Sequence, residues 1–434
     1  MHKTVHSAIL DGVQNNFTEK LLNDSAKKYD LIVIGSGPAG LAGAFFYAVR
    51  GKKVLLLEKE KRFGGKLPIS GGARCNVTNI LSADEQARAF GKKSRFLLPA
   101  LKNFPPQMTR DFFKAHGVPI EVTDGFHCFP VSGKAADLVD ALLNCCQDQY
   151  VECLNNTRAD ELLIENRKIY GVRCGNKNFF ADNVLLACGG KSYPKWSGSE
   201  SGYSLARQAG HSVTALYPAM TGLQCVEEWV GTCAGISLEN AECAIDMPGE
   251  KLSCRGELLF THQGISAFAV LDLAGRTAQL LDEQQTVPLK INLFASVSRA
   301  EWQNRLARQR QTNGKLSIGK IMAEYLPRKI VQQLVPAPET PIARYTGTET
   351  KILLDNLTSL KLHAKAAENW HKAMVTKGGV PLDEVNSKTL ESRIVSGLYF
   401  AGELLDVDGP CGGYNIQWAL SSGALCGQKI NSSN

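Results

Sequence analysis

The sequence predicts an α/β fold built on a parallel sheet and interrupted by a β-rich insert that itself carries a small helical subdomain. Three observations lead to this prediction. A strand, a glycine turn, a helix and a second strand follow one another over residues 29–58. Two further short apolar strands end in glycines at 183–190 and 397–402. Between them, from 211 to 374, the pattern changes to short apolar stretches with one helical interval.

The first strand–turn–helix–strand unit carries the most information. Asp30 to Ile34 form an apolar strand, and the turn from Gly35 to Gly40 has the sequence G-S-G-P-A-G. In such a unit the three glycines make the tight turn, let the main chain approach a pyrophosphate and allow close helix packing. Glu58 ends the second strand, where an acid accepts ribose hydroxyls. A bare glycine turn is common in loops, but the complete unit favours a Rossmann-like dinucleotide-binding domain.

The composition is that of a globular protein with two or three domains. The chain has 434 residues, 44% of them hydrophobic and 21% charged, which is too long for one compact core. Its thirteen cysteines form no C-x-x-C pair and no secretory signal is visible, so we expect reduced thiols in a cytoplasmic protein. We expect no metal site and no membrane association. The net charge of +7 is interpreted as a mild basic excess spread along the chain, which does not by itself indicate nucleic acid.

Two segments flank the first unit. Residues 1–28 lack a periodic apolar face and are interpreted as an extension with one short helix around residues 17–22. Beyond Glu58, residues 70–79 combine glycines with Arg74 and two asparagines. Such a loop can lie with its backbone against a flat ligand, and its directional hydrogen-bonding groups favour that interpretation over a mobile surface loop.

The spacing of apolar residues changes twice in the middle of the chain. Helices are predicted over 82–117 and 134–146, followed by a small β-meander. From 211 to about 294 we expect a β-rich domain without long helices, and strands are expected to return beyond about 343. Between them lies a helical interval that opens with a capping box at 298–301.

The predicted division of the chain follows these changes. The basic residues of the helical interval are interpreted as a solvated face, because no aromatic platforms are interleaved with them. The predicted parts are an N-terminal extension (1–28), a discontinuous dinucleotide-binding domain (29–210 and 375–434), a β-rich insert domain (211–294 and 339–374) and a helical subdomain (295–338).

The far end of the chain supplies a second glycine turn before a helix. A buried strand ends at Gly402-Glu403, and Gly412-Gly413 precede a helix predicted from Tyr414 to Cys426. A helix start favours the negative charge that a flavin acquires on two-electron reduction. A structural turn would explain the glycines alone, but not the acids, Asn415 and the helix start together.

Five stretches together resemble one family: 34–40, 70–79, 187–194, 256–264 and 375–418. They are similar to the bacterial flavoproteins described as aminoacetone oxidase-like or bile-acid dehydro-steroid reductase-like NAD(P)/FAD-dependent oxidoreductases. The R-C-N-V-T-N and G-G-Y-N motifs are the most specific elements, and Ala73 departs from the usual third glycine of its loop. The resemblance implies a FAD-binding domain of the glutathione-reductase type with tightly bound FAD.

The resemblance also implies a cofactor-binding set drawn from both ends of the chain. Glu58 would bind the adenosine ribose, Gly402, Glu403 and Asp406 would bracket the ribityl chain, and Asn415 would face the ring. The full predicted set is Gly35, Gly37, Pro38, Ala39, Gly40, Glu58, Lys59, Gly65, Lys66, Arg74, Asn76, Asn79, Ala159, Ala187, Gly189, Gly402, Glu403, Asp406, Gly413, Tyr414 and Asn415.

We therefore predict an FAD-dependent oxidoreductase that transfers a hydride between flavin and a small organic substrate. Only one G-x-G-x-x-G is present, so NAD(P)H would dock transiently, with oxygen as the competing electron acceptor. Candidate proton donors or acceptors are Cys75, Tyr193, His262 and Tyr414, although a structural role is the safer interpretation of His262. A flavin-dependent RNA-modifying protein and a non-catalytic flavin-binding module are the alternatives. No nucleic-acid partner is expected, because a basic face with stacking aromatic residues is not visible in the sequence.

Overall fold

The computed structural model describes residues 28–431. Its strands are β1 (Lys28–Tyr29), β2 (Leu31–Ile34), β3 (Val54–Leu57), β4 (Thr78–Asn79), β5 (Ile120–Thr123), β6 (His127–Pro130), β7 (Glu152–Leu154), β8 (Glu161–Glu165), β9 (Lys168–Cys174), β10 (Lys177–Ala181), β11 (Val184–Leu186), β12 (Tyr217–Ala219), β13 (Leu223–Cys225), β14 (Ser237–Ile245), β15 (Ser253–Phe260), β16 (Gly264–Ser266), β17 (Val287–Asn292), β18 (Leu360–Ala367), β19 (Val375–Lys377) and β20 (Leu398–Phe400).

Its helices are α1 (Pro38–Ala48), α2 (Ala83–Ala89), α3 (Ser94–Asn103), α4 (Pro106–Ala115), α5 (Ala135–Asp148), α6 (Ser201–Gln208), α7 (Trp229–Thr232), α8 (Phe268–Leu280), α9 (Arg299–Thr312), α10 (Ile318–Met322), α11 (Arg328–Leu334), α12 (Gly347–Thr358) and α13 (Tyr414–Lys429). None of the helices between residues 28 and 431 combines the length and apolar composition that a membrane span requires. The short helix expected around residues 17–22 lies outside the described residues.

A five-stranded parallel sheet is the centre of the first region, in the order β20-β11-β2-β3-β7. Every residue of β2, β3, β11 and β20 is buried, as expected for short apolar strands covered on both faces. The carboxyl ends of parallel strands meet at one edge of the sheet. The glycine turns after β2, β11 and β20 therefore come together there, although they are far apart in sequence.

Helices α1 and α13 pack against each other with almost no side chain between them. A Cβ added to Gly423 would lie 2.1 Å from the carbonyl oxygen of Ala39, and one added to Gly427 would lie 2.6 Å from that of Gly43. Only glycine permits such an approach of two helix backbones. The first and last helices of the described chain are thereby fixed side by side.

The second region is a closed six-stranded barrel in the order β13-β16-β15-β14-β17-β18. Closure leaves no unpaired strand edge. Its interior is filled by fully buried side chains such as Leu258, Phe260, Leu289 and Leu362. A two-stranded ribbon of β12 and β19 joins it to the first region. The two regions have separate buried cores, and the second of these cores also contains residues of the helical interval.

Two expectations for the insert were wrong. Residues 211–294 contain a long helix, the 13-residue α8, whose opening run of apolar residues resembles a strand although its buried positions recur at helical spacing. Beyond residue 343 the chain first forms the 12-residue α12 before β18. Thr346 and Glu349 form a complete capping box at its start, a signal that the sequence contained.

The helical subdomain consists of α9, α10 and α11. Ser298 Oγ accepts a hydrogen bond from Glu301 N at 3.2 Å, which supplies one half of the predicted capping box. Trp302 and Leu306 turn inward and are buried. Pro327 precedes α11 as its N-cap residue, so it separates two short helices.

Candidate cofactor-binding site

One cavity of about 490 Å³ opens at the carboxyl edge of the parallel sheet. It is lined by the turn after β2, by residues 65–72, by the turn after β11 and by residues 410–413. Residues 157–159 and the turn after β20 complete its walls. Segments from the beginning, middle and end of the chain therefore face one enclosed space.

The first glycine turn has the steric form that a bound pyrophosphate requires. Gly35 adopts φ +101°, and a Cβ there would lie 2.5 Å from the carbonyl oxygen of Ala187. A Cβ on Gly40 would lie 1.9 Å from the carbonyl oxygen of Gly35. Gly37 lines the cavity with no other atom within 4 Å of its Cβ position. The free amides at the start of α1 thus face open space that suits an anionic group.

Glu58 is held rigidly at the wall of this cavity. Its Oε2 accepts hydrogen bonds from Ser36 N (3.0 Å) and Ser36 Oγ (2.5 Å), and its Oε1 accepts one from Glu60 N (2.9 Å). The side chain is only 4% exposed. A buried carboxylate fixed by amide donors keeps lone pairs available for hydroxyl groups of a ligand.

Lys66 and Glu403 join the two ends of the chain across the cavity wall. Lys66 Nζ lies 2.6 Å from Glu403 Oε2 and 2.5 Å from Ser192 Oγ. Glu403 Oε1 accepts a hydrogen bond from Thr376 N at 2.7 Å. Each charge is compensated by the other, so this part of the wall is polar without a large net charge.

The second glycine turn is fixed from both sides. A Cβ on Gly413 would lie 2.6 Å from the backbone of Thr78, and Asp272 of α8 accepts a hydrogen bond from Cys411 N at 2.8 Å. Burial raises the pKa of Asp272. Burial also raises the pKa of the Cys411 thiol to about 12. Cys411 lines the cavity, so it presents a protonated thiol there at neutral pH.

Most of the predicted site residues lie in the cavity wall, although their positions in the sequence range from residue 35 to residue 415. Those residues are Gly35, Gly37, Pro38, Ala39, Glu58, Lys59, Gly65, Lys66, Asn76, Ala159, Ala187, Tyr193, Gly189, Gly402, Glu403, Gly413 and Asn415.

Five predicted cofactor contacts lie outside the cavity lining. Gly40 instead permits the close approach of α1 to the carbonyl oxygen of Gly35. Asp406 instead forms an ion pair with Lys93 at 2.8 Å. Asn79 is buried and donates to the carbonyl oxygen of Gly412 at 2.9 Å, so it supports the second turn from behind.

Arg74 and Tyr414 also point elsewhere. The Arg74 guanidinium lies 5.4 Å from the ring centroid of Phe129, a cation–π contact. The Tyr414 ring packs edge-on against Phe90. Both predictions assumed that a polar side chain in a motif faces the ligand, whereas these two support neighbouring segments.

Besides Tyr414, two further acid–base candidates lie outside the cavity lining. Cys75 is fully buried behind the loop, and burial raises the pKa of its thiol to about 12. His262 is exposed in the turn between β15 and β16 and is not part of the lining. Nearby, Ala73 adopts φ +67°, which explains why a glycine would suit that position.

Sequence reasoning missed several residues of the wall. Ser36, Met220, Met374 and Cys411 line the cavity. Ser36 and Cys411 lie inside motifs that were identified, so adjacency to the glycines was an available signal. Met220 and Met374 flank the interdomain ribbon and carry no local signal.

A group of aromatic and basic side chains lies beside the cavity at Tyr193. Tyr193 N donates to the carbonyl oxygen of Trp370 at 2.9 Å, and Trp196 N donates to that of Tyr193 at 3.0 Å. Lys191 Nζ lies 5.0 Å from the Trp370 ring centroid, and Trp196 is 43% exposed. We call Tyr193, Trp196, Trp370 and Lys191 the aromatic rim.

Comparisons with known proteins give consistent results. Residues 29–429 match the family described as HI0933-like protein Rossmann domain. A 3-dehydro-bile acid delta(4,6)-reductase of Clostridium scindens is 28% identical, over 91% of this chain and 97% of that protein. A ribosomal RNA dihydrouridine synthase of Escherichia coli is 30% identical, over 93% and 98%. The solved 3-ketosteroid delta1-dehydrogenase of Sterolibacterium denitrificans, 13% identical, shares the fold with a TM-score of 0.51, over 93% of this chain and 99% of that one.

Proposed function

This chain belongs to the HI0933-like family of FAD-dependent oxidoreductases, and on that premise we propose that it reduces a carbon–carbon double bond conjugated to a carbonyl group. The predicted family, fold class and FAD cofactor are confirmed. The names of the two long relatives denote one type of reaction. A bile-acid 3-ketone with 4,6 unsaturation and the uracil ring both hold a double bond conjugated to a carbonyl, and both products lack it.

The observation that carries the proposal is the single cavity formed by both ends of the chain. Glu58 and the turn from Gly35 would hold the adenosine and pyrophosphate. Gly402, Glu403 and the start of α13 would hold the flavin. A helix start beside the ring favours the charge of its reduced form.

FAD held by Glu58, Gly402 and Glu403 would, in its reduced form, supply the hydride for the β-carbon of the substrate. The chain must supply the proton that goes to the α-carbon. Among the described residues that line the cavity, we propose the Cys411 thiol and the Tyr193 hydroxyl as donors, because burial keeps the Cys411 thiol protonated and Tyr193 is a phenol O–H donor in the same cavity wall. The two electrons come from NAD(P)H, which docks transiently and is oxidised to NAD(P)⁺, and oxygen competes for them.

A small organic enone is the first candidate substrate, and a uracil base of RNA is the second. The second is favoured by the aromatic rim, where Trp196 is 43% exposed and Lys191 Nζ, which also pairs with Glu200, lies over the Trp370 ring. Aromatic faces with adjacent cations are the usual platform for single-stranded bases. The sequence had not revealed this group, because residues 191–196 and 370 are distant in the chain.

An anaerobic experiment in two stages tests the proposal. NADH or NADPH is first added, and loss of the flavin absorbance is followed in time. The reduced protein is then mixed with a steroid enone, with uridine-containing ribosomal RNA, or with the saturated steroid as a control. We expect rapid return of the flavin absorbance with an unsaturated substrate only. Equal rates with all three, or no return with any, would contradict the proposed reaction.

A further inference from the structure

The basic excess of this chain is concentrated in one place, contrary to the even distribution assumed from composition. Residues 295–338 contain eight Lys or Arg and two Asp or Glu, so this helical subdomain holds +6 of the net charge of +7. The subdomain is remote in sequence from every cofactor-binding segment. Its charge is therefore not explained by an anionic cofactor.

Three of these cations have structural partners. Arg299 Nη1 lies 2.6 Å from Asp355 Oδ1. Arg305 stacks over the ring of Trp302 and pairs with a glutamate of its own helix. Arg310 donates to backbone carbonyls of residues 342 and 345. These contacts give the three arginines structural roles.

Five further cations have no such role. Arg308, Lys315, Lys320, Arg328 and Lys329 are all exposed. Within residues 28–431, no carboxylate lies within ion-pair distance of any of them. All five lie within residues 308–329, on α9, α10, α11 and the segment between α9 and α10. Five exposed cations that form no ion pair with a described residue and outnumber the carboxylates of their segment favour a polyanionic partner.

The surface of the subdomain suits a phosphate backbone better than a membrane. Membrane-surface helices present a broad apolar face beside their basic residues. Residues 295–338 have no exposed large hydrophobic side chain, because Trp302 and Leu306 of α9 are turned inward. Exposed glutamines and asparagines such as Asn304 and Gln311 can add hydrogen bonds to phosphate and sugar oxygens.

We propose that the helical subdomain binds the phosphate backbone of an RNA whose base enters the cofactor cavity. This inference rests on the second candidate substrate named above. The barrel that carries the subdomain also contacts the cavity wall, where Asp272 of α8 holds Cys411. The insert would then hold the phosphate backbone of the RNA, while the aromatic rim contacts its bases. Five phosphate contacts give a strong salt dependence, with about a tenfold loss of affinity when the salt concentration is doubled.

Fluorescence anisotropy with a labelled uridine-containing RNA hairpin tests this anchoring in the FAD-loaded protein. The test variant replaces Arg308, Lys315, Lys320, Arg328 and Lys329 with Gln. The matched control replaces five exposed lysines of the first region, Lys52, Lys53, Lys114, Lys177 and Lys388, with Gln. We expect affinity to fall at least about tenfold in the test variant and less than about threefold in the control. FAD content and the thermal midpoint establish that each variant is folded.

Three results would overturn the inference: no binding of the hairpin by the unmodified protein, an equal loss in both variants, or preferential binding to phosphatidylserine vesicles that the test variant abolishes. Because RNA binding is measured without turnover, its outcome does not depend on whether the proposed reaction occurs. Reduction of a steroid enone without RNA binding would refute the anchoring alone. RNA binding without any flavin-linked reduction would refute the reaction alone.

Discussion

The cofactor-binding region and the barrel each have a buried core, but different parts of the chain make their critical contacts. Around the cavity, backbone meets backbone, as at Gly40 against Gly35 and Gly423 against Ala39. In the barrel, side chains such as Phe260 and Leu362 fill the interior. A backbone contact tolerates only glycine, whereas an apolar interior tolerates many combinations. The first kind of constraint therefore leaves a specific mark in the sequence and the second does not.

The strongest test uses one exception, Gly264, which makes a backbone contact inside the barrel. A Cβ on Gly264 would lie 1.9 Å from the carbonyl oxygen of Leu223, the same distance as for Gly40 and Gly35. We expect Gly40→Ala and Gly264→Ala each to lower the free energy of unfolding by about 3 kcal/mol. Only Gly40→Ala should also abolish FAD retention, because it moves the turn at the cavity. Chemical denaturation and the flavin content of the purified variants measure the two effects.

The matched variant Gly37→Ala separates an effect on the packing of the glycine turn from an effect on FAD binding. Its added methyl group would enter the open cavity without meeting protein atoms. Its unfolding free energy in the absence of FAD should therefore stay within about 0.5 kcal/mol of the parent. Retention of FAD by Gly40→Ala would contradict the role of this turn at the cavity. Loss of FAD in Gly264→Ala would show that the two regions are not independent.

The same difference explains which parts of the structure could be predicted. The glycine turns, their strands and Glu58 were identified because each residue type is required by a contact of the backbone or of a fixed carboxylate. Helix α8 was missed because its apolar run fits a strand as well as a helix until the barrel supplies a partner. The aromatic rim was missed because tertiary contacts alone bring Tyr193 and Trp370 together.

A prediction of intermediate size concerns two carboxylates that are held in similar ways, one in each region. Glu58 accepts from the backbone amides of Ser36 and Glu60, and Glu227 accepts from His363 N (3.0 Å) and Nδ1 (2.8 Å). We expect Glu58→Ala to raise the FAD dissociation constant about tenfold to a hundredfold, because it removes charge-assisted hydrogen bonds to the ribose. Titration of the apoprotein with FAD, followed by fluorescence quenching, measures this constant.

The control variant is Glu227→Ala. It also leaves hydrogen-bond donors without an acceptor, at a cost of about 1–3 kcal/mol in stability, but it should leave the FAD dissociation constant unchanged. Unchanged FAD affinity in Glu58→Ala would argue against the ribose assignment even if that variant is less stable.

The smallest expected effect is a pH dependence that distinguishes a buried histidine of the first region from an exposed one of the barrel. His211 is 3% exposed, with Nδ1 2.8 Å from Glu384 Oε2 and Nε2 2.7 Å from Ser392 Oγ. Burial lowers the pKa of His211, and the Glu384 contact only partly opposes this. Because the unfolded chain then binds a proton more readily than the folded chain, stability must fall as the pH drops below about 6.5.

We expect His211→Gln to flatten the decrease in unfolding free energy between about pH 7.5 and pH 5.5. The pKa of Glu384 is lowered by its hydrogen bonds to Ser212 and His211, so its contribution is lost only below the ordinary carboxylate range and lies outside this window. His363→Gln, which removes a histidine with a 45% exposed side chain from Glu227, should change stability by at most about 1 kcal/mol, because solvent screens that pair. A pH slope that survives in His211→Gln would mean that another titratable group is responsible.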